Sequence, residues 1–186
     1  LGLGVMDDGR SAWTLMNIAR ETRQGQTLLD ERNIATDDRG SAYMLASLRG
    51  SSAPCGLVMP LLEEPNTVND ELLATACSAA GLMGEADLIQ SLGRLARDTD
   101  LSPTVRSAAV TALGRIGDPA TTGLLVDGLD EDLEPRRAAA AALGYVAHDG
   151  QRAVLERLAE AMTDDTDAPT RHFAAISLGR IGGETA

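Results

Sequence analysis

Pro103-Thr-Val-Arg-Ser-Ala-Ala-Val-Thr-Ala-Leu-Gly-Arg-Ile-Gly117 and Pro169-Thr-Arg-His-Phe-Ala-Ala-Ile-Ser-Leu-Gly-Arg-Ile-Gly182 are near copies of one another, and Pro135-Arg-Arg-Ala-Ala-Ala-Ala-Ala-Leu-Gly-Tyr-Val-Ala147 lies between them. Aligning the three on their Leu-Gly pairs puts Gly114, Gly144 and Gly179 in one column, 30 and 35 residues apart. The preceding column reads Leu113, Leu143 and Leu178, and the column two residues later reads Ile116, Val146 and Ile181. Eight residues before each Gly stand Arg106, Arg136 and Arg171. Columns that agree across three copies mark an internal repeat.

Each period divides into two helices. Ser102-Pro103 supplies a cap followed by a residue whose missing N–H costs nothing in the first turn. Val105, Ala108, Ala109, Ala112, Leu113 and Ile116 then recur at three- and four-residue steps, the period of one helix face. Asp118-Pro119 ends that helix and starts a second, carrying Leu124, Leu125 and Leu129. Leu88, Ile89, Leu92 and Leu95 upstream, and Val154, Leu155, Leu158 and Met162 downstream, repeat the second-helix pattern. The acidic stretches Asp130-Glu-Asp132 and Asp164-Asp-Thr-Asp167 separate the units.

A hairpin of this length cannot bury its apolar stripe alone, so neighbouring hairpins must stack upon it. The glycine column agrees. Gly inside a helix costs about 1 kcal/mol against Ala, so its recurrence needs a packing reason, and close approach of the next helix supplies one. On this basis Gly144→Leu should wedge units apart, whereas a change at Glu131, read as exposed, should matter little.

Weaker copies run upstream. Gly81 falls 33 residues before Gly114, with Leu73 in the arginine column, and Leu45-Ala46-Ser-Leu48 fits earlier still with Ala for Gly. Leu3-Gly4-Val-Met6-Asp-Asp8 matches Leu113-Gly114-Arg-Ile116-Gly-Asp118, so the chain reads as opening inside a helix. Residues 24–38 break the pattern as an inserted loop. The expected organisation is therefore a divergent segment over 1–64 and regular repeats over 65–186, with units near 65–102, 103–134, 135–168 and 169–186. Ragged ends of this kind point to part of a longer solenoid.

Composition narrows the class further. Apolar residues make up 44 % of the chain and aromatics 2 %, so the core is built from small and medium aliphatic side chains, which suits closely packed helices. The net charge is −12 and every basic residue is Arg. A nucleic-acid groove needs clustered positive charge, so no nucleic-acid partner is expected. The longest apolar run, 138–147, is about half the length of a membrane span, so no membrane insertion is expected. No signal-peptide pattern is visible, so a soluble, cytoplasmic protein is the default expectation, with export left open because the N-terminus reads as incomplete. Cys55 and Cys77 both sit in apolar surroundings and read as buried small hydrophobes, with a disulfide left open until geometry decides it.

The blocks "PTVRSAAVTALGRIGDP", "PRRAAAAALGYVAHD" and "PTRHFAAISLGRIGG" resemble HEAT-like repeats, of the short type also found in phycobilisome bilin-lyase proteins. The likeness runs from about Asn66 to Gly183. It implies an all-α fold, an α-solenoid wound as a right-handed superhelix, with first helices outside and second helices lining a concave face. It also implies a scaffold or adaptor that binds a protein, although some relatives are enzymes. Iron-dependent deoxyhypusine hydroxylase uses paired His-Glu motifs, whereas here His148 precedes Asp149 and His172 precedes Phe173. Relatives that act on DNA use a basic face with aromatic contacts, which this composition does not supply.

No catalytic residue, metal ligand or cofactor is assigned. No Ser-His-Asp arrangement, phosphate-cradling Gly-rich loop or Cys-pair zinc motif is present. Arg106, Arg136 and Arg171 would grip anions as a strip, yet their strict register favours a structural ladder. Each would pair with an acid of the preceding unit, such as Asp118, or with helix-end carbonyls. A protein partner of unidentified kind, basic or neutral in view of the acidic surface, would meet second-helix residues between the apolar positions. These are Arg94, Asp127, Arg157 and Glu160, with Trp13 on an earlier helix. The alternatives are an accessory enzyme or chaperone of the bilin-lyase type, and a structural spacer.

Overall fold

The computed structural model describes residues 55–183, and helices are the regular structure of these residues. They are α1 (Cys55–Glu63), α2 (Asp70–Met83), α3 (Ile89–Arg97), α4 (Pro103–Ile116), α5 (Thr122–Asp127), α6 (Leu133–Val146), α7 (Arg152–Asp164) and α8 (Ala168–Gly183). Short 3₁₀ turns at Ala86–Leu88 and Pro119–Thr121 lead into the second helices α3 and α5. Another, at Gly128–Asp130, extends α5. The inserted loop at 24–38 and the copies near Leu3 and Leu45 lie outside the described residues.

Local chemistry sets the helix ends. Asn69 caps α2 by accepting from the Leu72 amide, and Ser102 caps α4 with Pro103 in its first turn. Gly84 and Gly117 end α2 and α4 at φ 70° and 76°, a left-handed conformation that favours Gly. Asp118 caps the turn into α5, its Oδ1 accepting from the Ala120 amide at 2.8 Å. Two first helices begin slightly before their prolines: α6 starts at Leu133 and α8 at Ala168, so Pro135 and Pro169 sit within the first turn. A proline in that turn removes no intrahelical bond.

The first helices α2, α4, α6 and α8 stack in series, each on the next. Every second helix makes its main contacts with the first helix that follows it: α1 with α2, α3 with α4, α5 with α6, α7 with α8. This succession is an α-solenoid of helical hairpins. Its core is a continuous strip along the stack. Leu113 and Leu143 from the leucine column are fully buried, Leu178 is half-buried, and Leu92, Leu125 and Leu158 from the second helices close the strip. Cys77 is a free thiol within it, and burial pushes its pKa up to about 12, so it behaves as a small hydrophobe. The side chain of Cys55 lies outside the described set.

The glycine column marks where the stack is tightest. A Cβ on Gly81 would lie 2.7 Å from Ala112 Cα. On Gly114 it would lie 2.5 Å from Ala142 Cβ and 2.8 Å from Ala142 Cα. On Gly144 it would lie 2.6 Å from Ser177 Oγ and 2.9 Å from Ser177 Cα. The residues met, Ala112, Ala142 and Ser177, form a second small column two positions before the next unit's Gly. Ser177 is fully buried, and its hydroxyl donates to the Ala140 carbonyl at 2.6 Å, so its polarity is satisfied across the contact. Gly179, by contrast, has open space around it.

Gly114→Ala should therefore destabilise the protein by about 1–3 kcal/mol, because the obstructing atoms include backbone. Gly144→Leu should cost at least as much. Gly123→Ala, a helical site with nothing within 4 Å of the added atom, should instead be neutral or stabilise by up to about 1 kcal/mol. Thermal melts of the three variants check this ranking.

Candidate interaction surface

The arginine column is built into the spine. Arg106 is 2 % exposed and is the largest fully buried side chain among the described residues. It donates to Asp132 Oδ2 at 2.9 Å, to Glu131 Oε2 through a second guanidinium nitrogen, and to the Ala96 carbonyl at 3.5 Å. Arg136 forms an ion pair with Asp165 at 3.3 Å, although its buried Nε has no hydrogen bond of good geometry. Arg171 donates to the Asp165 and Thr166 carbonyls at 2.8 and 3.2 Å. Leu73 takes the same position in α2 and is buried as core.

This is a ladder, but its direction differs from expectation. The acids paired with Arg106 and Arg136 lie in the loop leading to the following first helix, and Asp118 is occupied as a cap. Each first helix stacks on the next, which sets the loop entering the later helix beside the N-terminal part of the earlier one and brings those acids over the arginines. Glu131 is consequently half-buried in an ion pair and is not the exposed site expected from the sequence.

Rungs that sequence inspection missed run beside these. Arg137 grips Asp167 through two nitrogens, at 2.8 and 2.7 Å. Asp167 also caps α8, accepting from the Thr170 amide at 2.8 Å and the Thr170 hydroxyl at 2.9 Å. Thr104 reaches Glu134 at 3.2 Å. The partners in both pairs stand 30 residues apart, close to one period, which is the signal that points to them. The Arg137 guanidinium holds the Asp167 carboxyl well below the usual carboxylate range, outweighing desolvation, and the two Thr170 donors add to its effect. On the outer side, the Arg180 guanidinium sits 4.2 Å from the centre of the Tyr145 ring, a further contact between units.

The second helices carry two open grooves. The first, about 480 Å³, lies between α3 and α5 and takes in Arg94 and Asp127 together with Ile89, Gly93, Arg97 and Leu124. Arg94 donates to Ser91 Oγ at 3.1 Å. The second, about 270 Å³, contains Arg157 and Glu160 beside Asp130, Arg136, Asp164 and Asp165. Arg157 donates to Glu160 at 2.5 Å and to Asp130 at 2.6 Å, and these two carboxylates raise its pKa, which desolvation alone would lower. The four second-helix residues chosen from the sequence thus divide into two pairs, one in each groove. Trp13 lies outside the described residues.

The family model for HEAT repeats matches residues 58–144 and 124–186. The chain belongs to the HEAT-repeat family. The match is to HEAT repeats at large and does not single out the bilin-lyase type. None of the curated proteins matches the chain. Among the described residues of this HEAT solenoid, no three His, Cys, Asp or Glu side chains gather in a way that would hold a metal ion. No described helix is long and apolar enough to cross a membrane.

Two measurements probe the ladder. Arg106→Met should cost about 1–3 kcal/mol, because Glu131 and Asp132 can return to water. The double variant Glu131→Gln with Asp132→Asn should cost more, about 3–5 kcal/mol, because it strands a buried guanidinium. Urea titrations give the order. For Asp167, a depressed folded-state pKa means a contribution that is complete above the ordinary value near ~4 and is lost as the pH falls through the folded value. The difference in melting temperature between wild type and Asp167→Asn should therefore be full above about pH 5 and shrink steadily as the solution is acidified below about pH 4.

Proposed function

We propose that this protein is an interaction scaffold or adaptor, that a partner protein docks on its second-helix face, and that it runs no reaction of its own. The observation that carries this reading is the open groove between α3 and α5, where charged side chains rim an apolar floor formed by Ile89, Leu113 and Leu124. Its volume, about 480 Å³, suits one or two side chains of a partner. HEAT repeats commonly serve as protein-interaction scaffolds, which supports the assignment. A stack of hairpins also presents its second helices as one extended face, so affinity accumulates over area and shape.

A photo-crosslinking amino acid in place of Gln90, which lines the groove, should trap a discrete partner in cells that carry the protein. The same group at Thr111, exposed on the first helix α4, should trap far less. Equal yields from both faces, or no adduct from the groove, would contradict the assignment. A visible chromophore or stoichiometric metal in the purified protein would favour an accessory of the bilin-lyase or metal-hydroxylase kind instead.

A further inference from the structure

Resting on that reading of the second-helix face, we infer that the α3–α5 groove accepts an acidic segment of the partner, with carboxylates flanking an aliphatic side chain. The sequence points the other way: a chain of net charge −12 is expected to attract a basic or neutral partner. The distribution of the arginines reverses that expectation locally.

Five of the described arginines, Arg106, Arg136, Arg137, Arg152 and Arg157, are engaged by carboxylates of the chain itself. Arg94 and Arg97 are exposed on α3 and make no ion pair among the described residues. Arg94 is held instead by Ser91, a neutral acceptor that leaves its charge unanswered. Arg97 reaches back over Gly93, its NH1 lying 3.8 Å from where a Cβ would stand. Three residues apart on one helix, the two guanidinium groups share a face. Asp127 is the one carboxylate in the groove, so the lining carries a net positive charge within an acidic protein.

The neighbouring groove gives the contrast. Between α5 and α7 the acids Asp130, Glu160, Asp164 and Asp165 outnumber Arg136 and Arg157, and both arginines are already paired. An incoming carboxylate meets repulsion there and two available guanidinium groups in the first groove. Guanidinium–carboxylate contacts are charge-assisted and directional, and Arg is the basic side chain best suited to them. The floor completes the match. Leu124 and Ile89 are apolar and partly exposed, while Gly123 leaves open space above the backbone. An aliphatic side chain fits between the charges, and nucleic acid is disfavoured by the charge of the whole chain.

The test is selection of a phage-displayed library of random short peptides on the full chain, followed by binding measurements with a synthetic peptide of the selected consensus. Selected peptides should carry Asp or Glu beside Leu, Ile or Val, and binding should weaken as salt rises. The double variant Arg94→Glu with Arg97→Glu should weaken binding about tenfold or more. A peptide with Lys in place of its acids should recover affinity for that variant. A Cβ at Gly123 meets nothing within 4 Å, so Gly123→Leu should fold normally and also block binding, with a thermal melt as the check on folding. Enrichment of basic peptides, an empty selection, or acidic peptides indifferent to both variants would overturn the inference. Those outcomes leave the scaffold assignment standing if groove crosslinks still form, whereas absent crosslinks remove that assignment as well.

Discussion

The approach of one first helix to the next depends on the absence of a single carbon atom. At Gly81, Gly114 and Gly144 the next helix comes so near that a methyl group would overlap its backbone. Interiors pack at crystalline density, so helices held a few tenths of an ångström further apart would lose contact along their whole shared length. Small residues at both sides of the contact let Leu113 and Leu143 reach full burial on either side of it. A core almost without aromatic side chains can succeed only in this way, since the side chains are too short to bridge wider gaps.

Charge is arranged around that spine with a consistent logic. Acids concentrate in the loops that enter α6 and α8, where they meet arginines of the preceding first helix, and one of them also serves as a cap. Asp167 does both, joining the start of α8 to Arg137 of α6. A carboxylate at a helix N-terminus is favoured by the backbone dipole as well as by its cation, so the two roles reinforce one another. Because Asp127 is the one carboxylate lining the α3–α5 groove beside Arg94 and Arg97, that groove can be locally basic within a chain of strongly negative charge.

Much of this was legible in the residues. The Gly, Leu and Ile/Val columns gave the stack, and the Ser102-Pro103 and Asp118-Pro119 pairs gave helix starts that the structure reproduces. The ladder reading of the arginine column looked to acids of the preceding unit, such as Asp118, or to helix-end carbonyls, whereas the acids that meet Arg106 and Arg136 lie ahead of them, in the loop to the next first helix. Glu131 looked exposed because a run of acids reads as a solvated loop, and nothing local indicates that a buried guanidinium lies beneath it. The small column at Ala112, Ala142 and Ser177 carried a detectable period but no chemical emphasis, since alanines are abundant throughout the helices.

The sequence by itself determined that the chain forms helical hairpins and stacks them, because periodicity, capping and a recurring Gly are properties of neighbouring residues and survive translation from one unit to the next. Only the tertiary structure decided which charges are spent within the protein and which remain for a partner. Pairings such as Arg106 with Asp132 and Arg137 with Asp167 join residues about one period apart, and the stacking of each first helix on the next brings them together. Net charge is a sum over the chain, whereas recognition depends on the charges left unpaired at one place. That remainder is fixed by geometry.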